Sequence, residues 1–190
     1  MTFDLLRPRP ASAMTAEPLA KIPISATEPD WSRERREAGK WEPGKALLAS
    51  IRDYQRSNGS GLSAKIAVLR HRFWSVVTGA EIPLNCKIGG GLMIPHPNGI
   101  VIHPDSEIGP NCLILQQVTL GLGRGGVPTI GADVNIGAGA KLLGGFHVGD
   151  HAVIAAMSVV THDVPTRALA MGIPAKIVRQ AEPGRSLWDD

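Results

Sequence analysis

The chain has 190 residues, of which only 4% are aromatic, so it is long enough for one domain with or without an appendage. Its formal net charge is +3, but the basic excess is uneven: residues 1–80 hold 13 Lys or Arg against 8 Asp or Glu, whereas residues 81–190 hold 7 against 9. No basic run alternates with aromatic residues, which argues against nucleic-acid binding. No apolar run is long enough to cross a membrane and no signal-peptide pattern opens the chain, so we expect no membrane insertion and a cytoplasmic location.

Residues 1–44 contain six prolines and no hydrophobic periodicity. They are therefore expected to form an extended or disordered N-terminal arm. A charged stretch between Trp31 and Trp41 is a candidate short helix. Because two tryptophans are unusual in such a segment, we expect it to dock on the protein's own surface or on a partner subunit.

Residues 45–80 are expected to hold two helices. Apolar residues recur at helical spacing in residues 45–57 and again in residues 63–78, and the sequence Asn58-Gly59-Ser60-Gly61 between them breaks a helix. Two helices directly before a repeat array predict a cap over its first coil, because terminal repeats must shield an otherwise exposed core.

A six-residue repeat organises residues 82–160. An aliphatic residue opens each repeat, and a small or apolar residue usually follows four positions later. The repeat starts are Ile82, Ile88, Ile94, Ile102, Ile108, Ile114, Leu120, Ile130, Ile136, Leu142, Val148, Ile154 and Val160. A period of six fits neither an α-helix nor a simple strand, and a fixed internal period indicates a solenoid. We therefore predict a β-helix over residues 81–165, with three six-residue sides per coil and the repeat starts pointing inward.

The two cysteines, Cys86 and Cys112, lie four residues after a repeat start. This inward position indicates small core residues and argues against a disulfide or a nucleophile. Residues 166–190 then form a C-terminal segment, and its last ten residues are expected to fray.

Several motifs accompany the repeat. They are Pro95-His96, Gln117-Val118-Thr119-Leu120-Gly121, Ile136-Gly137-Ala138-Gly139-Ala140-Lys141 and Gly172-Ile173-Pro174-Ala175-Lys176. Over about residues 66–178, the chain resembles the left-handed β-helix (hexapeptide-repeat) acyltransferases, most closely the serine acetyltransferases and their exopolysaccharide-cluster relatives. The resemblance implies a left-handed coil, a homotrimer, acetyl-CoA as acyl donor, no metal, and an active site in the groove between neighbouring prisms.

The first break in the repeat, a step two residues too long, makes a bulge that carries His96. Acetyl transfer to an alcohol needs a base, and the near-neutral pKa of histidine suits that role. In the family the bulge histidine is the base, and a carboxylate 15 residues earlier orients it; here that residue is Glu81, where the family has Asp. Coil closure independently predicts that Glu81 lies beside the bulge, one strand spacing of ~4.8 Å away.

The other histidines are interpreted differently. His103 precedes a proline and is expected to be a turn residue. His147, His151 and His162 occupy different phases of the repeat, so we predict no metal site from them, although three histidines can bind zinc when they converge.

The second break in the repeat carries a Gly-rich loop, residues 121–128. In the family this loop flanks the acceptor and CoA sites, and an Arg-His pair before its proline helps to hold the serine carboxylate. Gly126 and Val127 occupy those places here. Arg124 is a candidate substitute, since arginine binds carboxylates bidentately. The family's longer helical domain contributes an aspartate to the serine site, and Asp53 is a candidate remnant of it.

The resemblance also implies a CoA-binding groove. Ala138 and Ala156 are 18 residues apart, so they are expected to stack on successive coils, where the family binds the pantetheine arm to the backbone at small-residue turns. Lys176 resembles the basic residue that meets a CoA phosphate as a point charge, and Arg179 is a candidate to share that contact.

The sequence thus predicts an acetyl-CoA-dependent O-acetyltransferase. L-serine, as in cysteine biosynthesis, is one acceptor. A sugar hydroxyl of an exopolysaccharide or capsule is the alternative, because the Arg-His pair is missing and Pro95 stands where an acid usually precedes the base. A non-catalytic β-helix that binds a partner through the Trp31–Trp41 segment is a third, less favoured interpretation. The family's docking to a cysteine synthase uses a C-terminal tail ending in Ile, whereas this chain ends in Asp190.

Overall fold

The computed structural model describes residues 25–183, 185 and 187. A short 3-10 helix, Trp31–Glu34, precedes two helices, α1 (Pro43–Arg56) and α2 (Gly61–Thr78). Short strands follow: β1 (Lys87–Ile88), β2 (Val101–Ile102), β3 (Glu107–Ile108), β4 (Leu113–Ile114), β5 (Thr119–Gly121), β6 (Thr129–Ile130), β7 (Asn135–Ile136), β8 (Lys141–Leu143), β9 (His147–Val148), β10 (Val153–Ile154), β11 (Val159–Val160), β12 (Ala168–Gly172) and β13 (Ala175–Gln180). In the described part of the chain, no helix is long and apolar enough to cross a membrane.

The strands form a three-sided prism of about five coils. Sheet 1 contains β2, β5, β8 and β11, sheet 2 contains β1, β3, β6 and β9, and sheet 3 contains β4, β7, β10, β12 and β13. Every pairing between coils is parallel and in register, so that Leu120 stacks over Ile102 and Leu142 over Leu120. Only the final pair, β12 with β13, is antiparallel. The predicted β-helix is confirmed.

The repeat starts form the core of the prism. All thirteen are buried, with exposed fractions of 7% or less, because alternate residues of a strand point to opposite faces and the repeat starts point into the interior. Most positions four residues later are buried as well, including Cys86, Ser106, Cys112 and Ser158, whereas Asn98 and Arg124, at the two breaks, are exposed. Both inward predictions are therefore confirmed.

Burial makes the two cysteines unreactive. It raises the pKa of the Cys86 thiol to about 11 and that of the Cys112 thiol to about 12, since desolvation disfavours the thiolate. The thiolate is the nucleophile, so iodoacetamide at neutral pH is expected to label neither cysteine until the protein is unfolded. Because the unfolded thiols ionise first, stability should fall as the pH rises above their ordinary pKa of 9.0. If mass spectrometry showed that iodoacetamide labels either cysteine in the folded protein, the assignment of both to the unreactive core would be wrong.

The two helices close the first coil, as the sequence predicts. Leu47, Leu48 and Ile51 of α1 are fully buried and belong to the same core as the prism. Gly44 lies so close to the backbone of Ile94 that a side chain there would collide with it. The guanidinium of Arg52 donates to the carbonyl oxygens of Ile88 and Gly89 at 2.6 and 2.7 Å. These contacts satisfy backbone groups that the first coil would otherwise leave unpaired.

The described part of the N-terminal arm lies against the prism. The sequence predicts an extended or disordered arm over residues 1–44; residues 25–42 are irregular apart from Trp31–Glu34, and α1 begins at Pro43. The buried side chain of Asn111 accepts a hydrogen bond from the Asp30 amide at 2.7 Å and donates to the carbonyls of Ser25 and Glu28 at 2.9 Å. Residues 1–24 of the predicted arm lie outside the described residues.

The two tryptophans of this segment touch the protein's own cap at their edges and stay 55% and 73% exposed. The guanidinium of Arg52 lies 5.3 Å from the ring centre of Trp31, which is within cation–π range. The ring of Trp41 lies 5.7 Å from that of Trp74 in α2. The short helix predicted between Trp31 and Trp41 covers only Trp31–Glu34.

The prism continues beyond the predicted boundary at residue 165. The strand β12 pairs with β10, and its Ala168 and Ala170 are fully buried. The sequence could not show this, since the spacing leaves the six-residue period after Val160 while small inward residues persist. Of the tail that was expected to fray, residues 184, 186 and 188–190 lie outside the described residues, whereas Leu187 is buried.

Candidate active site

The bulge that carries His96 lies at the corner between sheet 3 and sheet 1. It is anchored on both sides: the Gly99 amide donates to the Gly79 carbonyl, and the Gln117 amide donates to the Asn98 carbonyl, both at 2.9 Å. Pro97 is buried, whereas His96 is exposed. A firmly held backbone thus presents an imidazole to solvent, which is the arrangement that a general base needs.

Glu81 lies beside this bulge through its backbone. Its amide donates to the Ile100 carbonyl at 2.8 Å, and the Ile102 amide donates to the Glu81 carbonyl at 2.9 Å. Coil closure therefore brings Glu81 to the end of the bulge, as the repeat spacing predicts. Among the described residues, the Glu81 carboxylate and the His96 imidazole are both exposed and share no hydrogen bond. The orienting role of Glu81 stays a prediction.

Two further residues support the bulge, and the sequence did not single them out. Gln117 adopts a left-handed conformation with φ of 60°, which is strained for a residue other than glycine. The ammonium of Lys141 donates to the Gln117 carbonyl at 2.7 Å and to the Thr119 hydroxyl at 3.0 Å. Lys141 thus fixes the turn on which the Asn98 end of the bulge rests. Only a three-dimensional structure reveals this contact, because the two residues are 24 positions apart.

A strip of small residues runs along the same corner away from His96. The Gly139 amide donates to the Gln116 carbonyl at 2.9 Å, and the Met157 amide donates to the Ala138 carbonyl at 2.8 Å. Ala138 and Ala156 therefore stack on successive coils, as predicted. A Cβ atom at Gly137 would lie 2.5 Å from the Ala156 amide nitrogen. The close packing of the two backbones therefore leaves no room for a side chain at position 137. We call this strip the small-residue corner.

Lys176 lies at the far end of that corner, and Arg179 lies three residues further along the same strand, away from the corner. Both belong to β13, which pairs with β12 so that Lys176 faces Met171 and Arg179 faces Leu169. Both side chains are exposed. The hairpin between β12 and β13 lies four coil spacings from the bulge, about 19 Å at ~4.8 Å per coil. A long, thin ligand with a negatively charged end matches this layout.

The Gly-rich loop lies at a different corner. Arg124 is exposed, and the loop is held by a hydrogen bond of 2.9 Å from the Gly145 amide to the Arg124 carbonyl. It leaves the prism between sheet 1 and sheet 2, whereas His96 lies between sheet 3 and sheet 1. Crossing sheet 1 takes at least five residues, roughly 15 Å at ~3.3 Å per residue. One chain therefore does not bring Arg124 and His96 together.

Asp53 lies on the outside of the cap. The guanidinium of Arg70 donates to its carboxylate at 2.5 Å, and Arg56 donates to it as well. No described contact links this cluster to the bulge. The predicted substrate-binding role of Asp53 therefore gains no support within one chain.

The remaining histidines lie apart from one another. His103 is in a turn, where its Nδ1 accepts a hydrogen bond of 3.2 Å from the Asp105 amide. His151 pairs with Asp133 at 3.0 Å, and His147 is exposed on sheet 2. Across residues 25–183, 185 and 187, no group of three or more His, Cys, Asp or Glu side chains is placed to hold a metal ion.

The six-residue coils, interrupted by a histidine bulge, define a hexapeptide-repeat fold. Residues 128–162 match the family model described as bacterial transferase hexapeptide (six repeats). The chain is 38% identical over 130 residues to a serine acetyltransferase of Mycobacterium tuberculosis, covering 66% of this chain and 55% of that protein. It is 46% identical over 107 residues to a serine acetyltransferase of Helicobacter pylori, covering 54% and 62%.

Solved structures give the same result. A serine acetyltransferase in complex with cysteine superposes with a TM-score of 0.65 at 37% identity, covering 75% of this chain and 56% of that one. The Neisseria gonorrhoeae serine acetyltransferase in complex with serine gives a TM-score of 0.64 at 35% identity, covering 73% and 58%. A serine acetyltransferase in complex with CoA gives 0.63 at 38% identity, with the same coverage. Over its hexapeptide-repeat region the chain is thus similar to serine acetyltransferases, and its fold is a left-handed β-helix. The chain spans only about half of the length of most of these relatives.

Proposed function

We propose that the protein is an acetyl-CoA-dependent O-acetyltransferase, with L-serine as the favoured acceptor. The observation that carries the proposal is the exposed His96 on an anchored bulge, at one end of a small-residue corner whose other end carries Lys176. Similarity to serine acetyltransferases, including structures in complex with serine and with CoA, supports both substrates.

In the proposed reaction, His96 removes the proton from the acceptor hydroxyl as its oxygen attacks the thioester carbonyl. The new C–O bond forms, the C–S bond breaks, and the imidazolium returns the proton to the departing CoA thiolate. Glu81 orients the imidazole and stabilises its charged form, the role that an aspartate has in a hydrolase triad. In this proposal, backbone amides of the corner stabilise the oxyanion that develops on the carbonyl.

The proposed acetyl-CoA site is the small-residue corner. The pantetheine arm lies along Ala138 and Ala156, beside the exposed Met157, and Lys176 and Arg179 meet the phosphates. The exposure of Ala156 and Lys176 and the stacking of Ala138 on the next coil support this placement. No metal takes part in the proposed chemistry.

Replacing Ala156 with tryptophan tests this groove. The indole would fill the corner, so the KM for acetyl-CoA should rise about tenfold or more, which corresponds to a loss of about 1.4 kcal/mol of binding free energy, with a smaller effect on kcat. Thr129→Trp is the matched control, because Thr129 is exposed on sheet 2, away from the corner. Equal KM values for the two variants in a thiol-release assay would place acetyl-CoA elsewhere.

We further propose a homotrimer with the acceptor site between two protomers. Arg124 and His96 lie at opposite edges of sheet 1 of one chain. In the homotrimer, Arg124 of a neighbouring protomer would therefore be the arginine that reaches the acceptor beside His96. The outer face of sheet 3, next to the bulge, is lined by Met93, Leu113, Leu115, Val153 and Leu169. An apolar face of this kind favours contact between subunits.

A sugar hydroxyl is the second candidate acceptor. Gly126 and Val127 replace the family's Arg-His pair, and the only arginine of the loop, Arg124, is exposed without a described side-chain partner. A site without a bidentate cation binds a carboxylate weakly, which favours a neutral acceptor such as the sugar of an exopolysaccharide. The cytoplasmic location stays a prediction. The end of the C-terminal tail, where the family docks a cysteine synthase, lies outside the described residues.

An acceptor panel separates these candidates. Thiol release from acetyl-CoA is measured with L-serine, with nucleotide sugars and with oligosaccharides at equal concentrations. The proposal expects kcat/KM to be highest for L-serine. Turnover with sugars alone would show that the acceptor is a sugar and not L-serine, while the proposed acetyl transfer would stand. No turnover with any alcohol would favour a non-catalytic binding module.

A further inference from the structure

The helix α2 exposes a row of large apolar side chains. Leu62, Ile66, Leu69, Phe73 and Val76 have exposed fractions of 73%, 50%, 70%, 57% and 85%. On the opposite side of the helix, small residues face the cap, with Ala64, Ala67 and Thr78 buried. The helix is thus packed against the protein by small residues and by the partly buried Trp74, and it turns the five apolar residues of this row to solvent. We call this row the α2 stripe.

The α2 stripe has the spacing of a coiled-coil seam. Its members are separated by four, three, four and three residues, which places them at alternating d and a positions of a heptad. The row is about 21 Å long, at 1.5 Å per residue. A strict a/d row is narrower than the apolar face of a helix that lies in a membrane surface. Its geometry therefore fits another helix better than a lipid layer.

The flanks of the stripe are basic. No Asp or Glu occurs in α2, and Lys65 and Arg72 are exposed along one side of the row. On the other side, a shallow groove of about 370 Å³ lies between α1 and α2 and is lined by Arg56, Arg70 and Asp53 among others. Two guanidinium groups share the single carboxylate there. Both flanks therefore carry an excess of positive charge.

These charges disfavour a second copy of the same helix as the occupant. In an antiparallel pair centred on Leu69, heptad geometry sets Lys65 of one chain opposite Arg72 of the other. In a parallel pair, Lys65 would lie opposite Arg70. Like charges at these flanking positions select against self-pairing, whereas acidic residues on a partner helix would be complementary.

We propose that the α2 stripe is a docking surface for an amphipathic helix of a partner protein that carries acidic residues beside its apolar seam. The apolar residues of that helix pack on Leu62, Ile66, Leu69, Phe73 and Val76. Its carboxylates meet Lys65 and Arg72 on one side and the arginine groove on the other. The surface lies on the cap, outside the groove proposed for acetyl-CoA, so it stands independently of the acetyl transfer.

Two labelled 21-residue peptides test the proposal with the full-length chain. Both carry Leu at the a and d positions; one has Glu and the other Lys at the flanking e and g positions. In fluorescence anisotropy, the Glu peptide should bind at least about tenfold more tightly than the Lys peptide, and its affinity should fall as NaCl is raised from about 50 to about 500 mM. Leu69→Gln should weaken binding of the Glu peptide about tenfold or more. The control Val178→Gln should not, because Val178 is a similarly exposed apolar residue on β13, 54% exposed.

Several results would overturn the proposal. Equal affinity for the two peptides, or no binding of either, would remove the charge-matched helix as the occupant. Loss of a larger assembly by Leu69→Gln in analytical ultracentrifugation would show that a second copy covers the stripe. If neither peptide bound, and if the wild type but not Leu69→Gln bound phosphatidylserine vesicles, the α2 stripe would be a membrane-binding surface instead. The acetyltransferase activity of Leu69→Gln should equal that of the wild type in every case.

Discussion

Replacing His96 with alanine is expected to lower kcat for acetyl transfer by about 10²- to 10⁴-fold, the usual contribution of a general base. The imidazole is exposed on an anchored bulge and makes no described side-chain contact that holds the fold. Its removal should therefore leave the melting temperature and the affinity for CoA unchanged. The activity is measured by thiol release from acetyl-CoA with the preferred acceptor, and the CoA affinity by calorimetry.

His147→Ala is the matched control for this prediction. His147 is also exposed, but it lies on sheet 2, away from the bulge and the small-residue corner. We expect wild-type kcat from this variant. If His96→Ala also kept wild-type kcat, another group would have to act as the base and the proposed mechanism would fail.

Replacing Arg52 with alanine is expected to destabilise the fold by about 3–5 kcal/mol, the cost of breaking a largely buried ion pair. The Arg52 guanidinium donates to the Glu34 carboxylate at 2.9 and 3.1 Å, and the two side chains are only 13% and 9% exposed. It also caps the carbonyls of Ile88 and Gly89. The variant leaves two carbonyl oxygens without the guanidinium donor, and it leaves the Glu34 carboxylate without its counter-ion and with the Leu92 amide as its described donor.

Urea-induced unfolding of Arg52→Ala measures this effect. The control is Arg36→Ala, because Arg36 is exposed and has no described partner, and we expect a change within about 0.5 kcal/mol for it. A loss below about 1 kcal/mol for Arg52→Ala would mean that water replaces the guanidinium and that the N-terminal segment is not held by this pair.

The prism is predictable from the sequence because its geometry imposes the period. Each side of a coil admits one aliphatic residue from a strand and one small residue before the corner. The aliphatic repeat starts between Ile82 and Val160 therefore identify the residues that point into the interior. The two breaks in the period likewise mark where the backbone leaves the coil. The corner position of the His96 bulge and its closeness to Glu81 followed from counting three sides per coil.

Contacts outside the period could not be predicted in the same way. The attachment of residues 25–41 depends on hydrogen bonds from Asn111, more than 80 positions away along the chain. The support of Gln117 by Lys141 depends on two coils stacking in register. The helical pattern of α2 was visible, but the sequence alone did not show that Trp74 and the small residues pack on the protein while the α2 stripe faces solvent.

The acceptor side is the least predictable part of the site for a physical reason. His96 and the small-residue corner belong to one prism, and their positions follow from its coils. Arg124 lies on a loop across sheet 1, so in the proposed homotrimer its distance from His96 depends on a second chain. The proposed acetyl-CoA groove, by contrast, is built from residues of one chain.

The central claim is that His96 directs acetyl transfer from acetyl-CoA to an alcohol. Its most direct test is mass spectrometry of the products after incubation of the protein with isotopically labelled acetyl-CoA and L-serine, in parallel with the His96→Ala variant. We predict labelled O-acetylserine and one released CoA thiol per acetyl group transferred, with both products strongly reduced in the variant. Absence of any acetylated alcohol from the wild type, across L-serine and the sugar acceptors, would contradict the account.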